Sequence, residues 1–264
     1  MRISMNCPSY KRPKVKTLEY IPFCKVWVDP SEADEYRRAN PQHKENIIEC
    51  PPGVQGNVAR VRNYILDHEF EAGADVVVLV DDDMKAIAYY ESPPGEKFGY
   101  KRNKLSSEDI LPFIERYSRL CDEFGFKMWG VNCNKDAMSY SQQTPFSTMA
   151  FLGGPFQCFL KGNECRYDEE LPLKEDYDML IQNCQKYRGV LRVNKYHYDV
   201  KQATQAGGCA TMRNYERELQ QLEALRKKWG SRIVKIDRSN KGKTKKKKEN
   251  FDFNPIIKIP IKGV

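Results

Sequence analysis

The 264-residue sequence contains no run of about 18 or more apolar residues, so it predicts no membrane-spanning helix. Its N-terminus turns polar before an apolar signal region forms, and the expectation is a chain that stays where it is made, in the cytoplasm. None of the nine cysteines forms a Cys-x-x-Cys pair, and an odd number cannot be fully paired within one chain. Free thiols in a reducing compartment are expected. No internal repeat is present. The chain also lacks an even spread of charge: of the formal +8, the segment from residue 238 onward carries +7, with nine Lys and Arg against Glu249 and Asp252. The remaining body is close to neutral, which argues against a broad nucleic-acid-binding face.

The length suffices for a substantial core in one large or two small domains. Strand-like and helix-like stretches alternate through the first half, the pattern of an α/β domain with a mainly parallel sheet. Residues 1–7, 23–28 and 46–49 read as strands, each ended by proline-containing breakers. Residues 31–38 read as a helix capped by Ser31. Over 57–70 the apolar Val58, Val61, Ile65 and Leu66 recur at helical spacing. The run Asp75-Val-Val-Val-Leu-Val80 is too short for a typical helix and too apolar for a surface strand, and so predicts a central strand buried on both faces. Further strands are expected at 127–132, 150–160 (interrupted by Gly153-Gly154-Pro155) and 190–198. Helices are expected at 107–124, 176–187 and 215–229, the last stopped by Gly230.

Asp81, Asp82 and Asp83 directly follow the apolar run. Three consecutive carboxylates repel one another unless a cation or hydrogen-bond donors offset them. In open α/β sheets ligands bind at the carboxyl ends of the strands, where this cluster is predicted to lie. Mg²⁺ or Mn²⁺ is commonly held by one or two protein carboxylates and completed by substrate phosphates. A nucleoside diphosphate fits such a place, but the spacing alone does not separate a sugar transferase from a nucleotidyltransferase.

The order of these motifs resembles a GT-A glycosyltransferase. A first strand closes in Pro8-Ser9-Tyr10-Lys11-Arg12-Pro13 and a second in Asp29. Gly56 to Asn63 (GNVARVRN) follows, and then the aspartate triplet. The resemblance implies a Rossmann-like nucleotide-sugar-binding fold, α/β with a mostly parallel central sheet flanked by helices, over residues 1–236. Residues 1–105 would form the nucleotide-sugar half and 106–236 the acceptor half, with a basic, flexible tail at 237–264. It further implies that Tyr10, Arg12, Asp29, Arg62, Asp81 and Asp82 contact the nucleotide sugar, that Gly153 and Gly154 cradle the donor sugar, and that Asp83 and His197 hold Mn²⁺ or Mg²⁺. Lys201 is the alternative phosphate contact near His197, and Gly207-Gly208-Cys209 a lid over the diphosphate. Leu173 to Asp178 (LKEDYD) resembles the Glu-Asp element beside the acceptor, which makes Asp176 the general base and Glu175 its positioner. A single displacement by Asp176 would invert the anomeric centre; a retaining course stays open.

Residues 173–178, 189–198 (GVLRVNKYHY), 207–209 and 227–234 (KKWGSRIV) are similar to the phage glycosyltransferases associated with TET/JBP-type oxygenases. That resemblance implies a 5-hydroxymethylpyrimidine in DNA as acceptor and a UDP-sugar as donor. The cationic tail agrees with a DNA partner, as do the aromatics Tyr89, Tyr90, Phe98 and Tyr100 interleaved with Lys97, Lys101 and Arg102. A protein or small-molecule acceptor, and a non-catalytic nucleic-acid-binding protein on the same shell, are the competing readings.

Overall fold

The computed structural model describes residues 1–91, 101–137, 140, 143–200, 214–236 and 254–259. Its first half lays down β1 (Ile3–Pro8), α1 (Thr17–Tyr20), β2 (Lys25–Val28), α2 (Ala33–Ala39), β3 (Ile47–Glu49), α3 (Val58–Glu71) and β4 (Val76–Val80). The four strands pair in the order β3-β2-β1-β4, all parallel, as a Rossmann-like half requires. There follow β5 (Met84–Glu91), β6 (Lys101–Lys104), α4 (Ile110–Glu123), β7 (Met128–Asn132), β8 (Phe146–Ser147), β9 (Phe156–Leu160), α5 (Glu175–Tyr187) and β10 (Leu191–Val200). These extend the sheet as β9-β7-β10-β5-β6, with β8 on β10. Because β9, β5 and β8 pair antiparallel to their neighbours, seven of the ten strands point one way. The expected α/β sheet, mostly parallel and flanked by helices, is the observed one.

All five residues of β4 are buried, and they alternate between two cores. Val76, Val78 and Val80 pack with Leu18 and Tyr36 of α1 and α2 and with Phe113 and Ile114 of α4. Val77 and Leu79 pack with Val61, Ile65 and Leu66 of α3 and with Met179 and Leu180 of α5. Burial of each such side chain contributes roughly 1.5–3 kcal/mol. The α3 stripe read from spacing is therefore its core face, and Asn57 caps that helix by accepting the Ala59 N–H at 2.9 Å.

Helix α6 (Tyr215–Trp229) ends at Gly230, whose φ of +85° is costly for any residue with a Cβ. Beyond it β11 (Val234–Ile236) pairs antiparallel with β12 (Pro255–Ile257). The eight described cysteines are free thiols, and no helix among the described residues is long and apolar enough to cross a membrane.

Four expectations need correction. Ser31 does not cap α2: its hydroxyl and N–H both donate to Asp29 Oδ1, at 2.6 and 2.9 Å, and the helix begins two residues later. Tyr89 and Tyr90, expected on a loop following the aspartate triplet, lie on strand β5. Residues 150–155 are loop, and only Phe156 onward forms a strand. The segment from 237 onward is not all free tail. Ile257 and Ile259 pack against the second core, and Tyr177 in the first turn of α5 donates to Asn254 Oδ1 at 3.0 Å. Residues 237–253 lie outside the described residues.

Polar contacts fasten α6 to α5. Asp178, fully buried, accepts the Trp229 indole N–H at 2.6 Å and pairs with Lys228 at 2.9 Å. Lys174 and Glu218, 2% and 5% exposed, pair at 2.6 Å. Removing one member of such a pair strands the other without a counter-charge. Lys174→Met is expected to cost about 3–5 kcal/mol, read as a lower urea midpoint, and adding Glu218→Leu should recover most of that loss.

Candidate active site

The register of the sheet brings the sequence-predicted residues to one edge. Asp81 to Asp83 follow β4, the Ser9–Arg12 turn follows β1 and Asp29 follows β2, each at the carboxyl end of a parallel strand. Because β9 is antiparallel to β4, with Phe156 opposite Val80, the Gly153-Gly154-Pro155 loop enters the sheet at the same edge. Asp81 N–H donates to the Pro155 carbonyl at 3.3 Å.

The aspartate turn is stapled from beneath by the start of α1. Thr17 Oγ1 donates to the Asp81 carbonyl at 2.5 Å and accepts the Met84 N–H at 3.1 Å. The Lys16 and Thr17 amides both donate to the Asp82 carbonyl, at 3.0 and 3.3 Å. This shapes a turn in which three identical side chains meet three different environments.

Asp82 is built into the protein. Its carboxylate accepts Ser9 Oγ at 2.7 Å and Arg12 Nη1 at 2.9 Å, and Ser9 in turn meets the Tyr36 hydroxyl at 2.9 Å. Burial pushes the Asp82 carboxyl above the usual range against the opposing pull of Arg12. Asp81, about a third exposed, pairs with Arg62 Nη2 at 3.2 Å. Asp83 is buried, and among the described residues no Lys, Arg or His nitrogen lies within 4.0 Å of its carboxylate. Burial, then the charges of Asp81 and Asp82, push it up to about 6.

Arg62, projecting from α3 and 5% exposed, joins the two halves of the chain. Nη1 donates to Glu175 Oε1 at 3.0 Å, Nη2 to Asp81 Oδ1 at 3.2 Å and to the Gly154 carbonyl at 3.5 Å. Its guanidinium carbon lies 5.4 Å from the centre of the Tyr167 ring. Glu175 thus stands at the start of α5, tied through Arg62 to the aspartate turn, with half-buried Asp176 next to it.

The space beside both glycines is tight. A Cβ on Gly153 would collide with the Tyr198 hydroxyl, and one on Gly154 would lie 3.0 Å from Arg62 Nη2. Protein groups occupy the space a side chain would take. Tyr198, not singled out from the sequence, is hydrogen-bonded to Cys133, whose sulfur also accepts the Gly153 N–H at 3.2 Å. Burial, Cys133 and then the charges of Asp176 and Asp81 raise the Tyr198 phenol, keeping it protonated. Its only sequence signal was membership of an aromatic strand.

The other predicted residues are placed as follows. Tyr10 is half-buried with the Lys11 ammonium 4.9 Å from its ring centre. Asp29 closes its own turn through Ser31, and those hydrogen bonds lower its carboxyl. His197 is not brought to Asp83. It pairs with Ala88 on β5 while Val200 pairs with Met84, so five residues along the strand, about 16 Å at about 3.3 Å per residue, separate it from Asp83. There it stacks on Tyr90, ring centres 5.3 Å apart, and its buried Nε2 has no hydrogen-bond partner. Burial, then the Arg102 charge, lowers it to about 4, so it is neutral at pH 7. Lys97, Phe98, Tyr100, Lys201 and Gly207-Gly208-Cys209 lie outside the described residues.

Among the described residues no three or more His, Cys, Asp or Glu side chains are gathered to hold a metal by themselves. The donor set nevertheless fits a hard divalent ion shared with a substrate: Asp83, with Asp81 beside it, supplies the one or two carboxylates such an ion takes when phosphate oxygens complete its shell.

A family model described as TET-Associated Glycosyltransferase matches residues 19–208. No curated protein matches the chain in sequence. Among solved structures, TarS from S. aureus in complex with UDP is 15% identical over 75% of this chain and 59% of that one, with a TM-score of 0.46. A longer TarS structure is 13% identical over 75% of this chain and 36% of that one, TM-score 0.43. A mannose-1-phosphate geranyltransferase from Thermus thermophilus is 9% identical over 75% and 76%, TM-score 0.42. The chain thus spans well under two thirds of either TarS structure.

An acid whose folded-state pKa is raised contributes stability that is fully present below its unfolded value, near 3.9, and lost as pH rises through about 6. In chelator, Asp83→Asn should therefore melt higher than the parent at pH 8, by an amount equivalent to about 2–3 kcal/mol, and the difference should shrink toward pH 4. A difference of the same size at both pH values would contradict the assignment.

Proposed function

The chain belongs to the TET-associated glycosyltransferase family, and from that membership together with the site geometry we propose that it moves a sugar from a nucleotide-sugar donor, a UDP-sugar, to the hydroxymethyl oxygen of a 5-hydroxymethylpyrimidine in DNA, with Mn²⁺ or Mg²⁺ at Asp83. The observation that carries the reading is the Arg62 bridge, which holds Asp81 of the aspartate turn and Glu175 of the acceptor element on one guanidinium. Donor and acceptor carboxylates are thereby set on opposite sides of one fixed charge.

The roles follow from the side-chain environments. The Ser9–Arg12 turn and Asp29 line the edge where the nucleoside would lie, and Asp82 keeps that turn closed through Ser9 and Arg12. Asp81 and Asp83 face the diphosphate. When bound there, a divalent ion supplies neutralisation of the charge that develops on the leaving nucleoside diphosphate. Glu175 is committed to Arg62, and a carboxylate held by a guanidinium is a poor proton acceptor. That leaves Asp176 to take the proton of the attacking hydroxyl, while Glu175 sets the start of α5. Tyr198 has its hydroxyl within the influence of both Asp81 and Asp176 and can donate to the transferring sugar or to the base.

The DNA acceptor is supported by the family and by the lysine-rich run Lys241 to Lys248. The described segments on either side of that run, β11 and β12, pair with each other, and Asn254 meets Tyr177 one residue after Asp176. The near-neutral charge of the body favours the competing reading, a protein or small-molecule acceptor on the same donor site.

Two measurements test the proposal. In a thermal-shift panel of nucleotide sugars, at least one should stabilise the parent only with Mn²⁺ or Mg²⁺, and Asp83→Ala should abolish the response; absence of any metal-dependent donor response would sink the donor reading. With hydroxymethylated DNA as acceptor, mass spectrometry of the released nucleosides should show a glycosylated base. Asp176→Asn should slow its formation by about 10²- to 10⁴-fold with little change in donor KM. Donor hydrolysis without any DNA product would select the alternative acceptor.

A further inference from the structure

A second cleft, of about 470 Å³, opens between α1 and the β5–β6 edge. It is lined by Lys16, Tyr20, Lys85, Lys104, Ser106 and Ser107. None of the donor or acceptor roles above uses these side chains. Glu19 is the sole acid on its wall, and it also lies 3.9 Å from Lys14, with both side chains about two-thirds exposed. Lys16, Lys85 and Lys104 have no carboxylate within 4.0 Å among the described residues, whereas Lys25, Lys127, Lys174 and Lys228 are all paired. In a body close to neutral overall, three ammonium groups with no carboxylate within 4.0 Å among the described residues line one cleft, against Glu19 on its wall and Asp109 behind Ser106, and form a local excess of positive charge.

The floor of the cleft is rigid. The Tyr20 hydroxyl donates to the Leu105 carbonyl at 2.9 Å and accepts the Ile87 N–H at 3.1 Å, tying α1 to both strands. Leu105 N–H donates to the Ile87 carbonyl at 2.9 Å. The cleft also starts at the candidate active site: the Lys16 amide binds the Asp82 carbonyl, and Lys85 stands two residues after Asp83. A polyanion lying in it would pass directly beside the aspartate turn.

We propose that this cleft holds the phosphodiester backbone of the nucleic-acid acceptor next to the nucleotide that receives the sugar. The inference rests on the DNA-acceptor reading above and gives that reading a surface in the folded body, separate from the lysine-rich run near the C-terminus. Ammonium groups without carboxylate partners neutralise phosphates without reading sequence, and the Ser107 hydroxyl adds a short-range donor, that of Ser106 being already donated to Asp109 Oδ2 at 2.5 Å. Base identity is left to the active site.

The test uses the full chain, comparing the parent with Lys85→Glu/Lys104→Glu and with the milder Lys85→Ala/Lys104→Ala, which keeps the question answerable if charge reversal lowers folding yield. The probe is a fluorescein-labelled duplex without hydroxymethyl bases, titrated at several salt concentrations, with UDP-sugar thermal shift measured on the same preparations. The expected result is weaker duplex binding, with a log affinity against log salt slope shallower by about 0.9 for each phosphate no longer neutralised and an unchanged response to the nucleotide sugar. In transfer assays the KM for DNA should rise while kcat at saturating DNA holds. Duplex affinity and salt slope equal to the parent's would overturn the proposal. So would a loss of the nucleotide-sugar response as large as the loss of duplex binding, since the cleft would then be a donor-phosphate site. A parent protein that binds duplex through the cleft lysines but transfers no sugar would leave this surface standing and defeat the transferase-on-DNA reading instead.

Discussion

The buried Arg62 guanidinium is the constraint around which the site is organised. Asp81 directly follows β4 and Glu175 begins α5, 113 positions from Arg62 in sequence. Two carboxylates facing one edge repel each other unless a cation lies between them. A guanidinium does this with directional donors, where an ammonium would give a point charge. Because it also reaches the Gly154 carbonyl, one side chain sets the spacing of the aspartate turn, the glycine loop and the acceptor helix. The core supports this: α3, which carries Arg62, packs its apolar stripe against Val77 and Leu79 of the same strand that delivers the aspartates.

Much of this frame was legible from residue order. The Val76–Val80 run, the α3 stripe and the Gly230 stop are local patterns whose physics is short-range: apolar periodicity, β-branching and a positive φ. The aspartate triplet was legible as a site because three adjacent like charges need compensation wherever they fold. What stayed hidden depends on pairing across the chain. Nothing near Arg62 in sequence names Glu175 as its partner, and nothing near Gly153 shows that Tyr198 fills the space beside it. His197 misled for the same reason: its place was inferred from motif order, while its distance from Asp83 is set by the β10–β5 register. Ser31 had the chemistry of a helix cap, but Asp29 offered its hydroxyl a charged acceptor two residues away.

The C-terminal region shows how composition can mislead about structure. Its composition is dominated by lysine, yet Ile257 and Ile259, both partly buried, pack against the cores that α5 and α6 help to form, while Ile256 is exposed. Ile257 in β12, and Asn254 against Tyr177, make the last described segment a brace for the helix that carries Glu175 and Asp176. Tyr177 in turn stacks on Phe151, ring centres 4.2 Å apart, at the base of the glycine loop. A continuous packed path therefore runs from the C-terminal strand to the glycine loop.

The contact between Gly153 and the Tyr198 hydroxyl has a further consequence for inheritance. A side chain at position 153 requires the Tyr198 hydroxyl to give way, so the two positions are expected to change together, with Cys133, 3.1 Å from the same Cβ position, the third member of the contact.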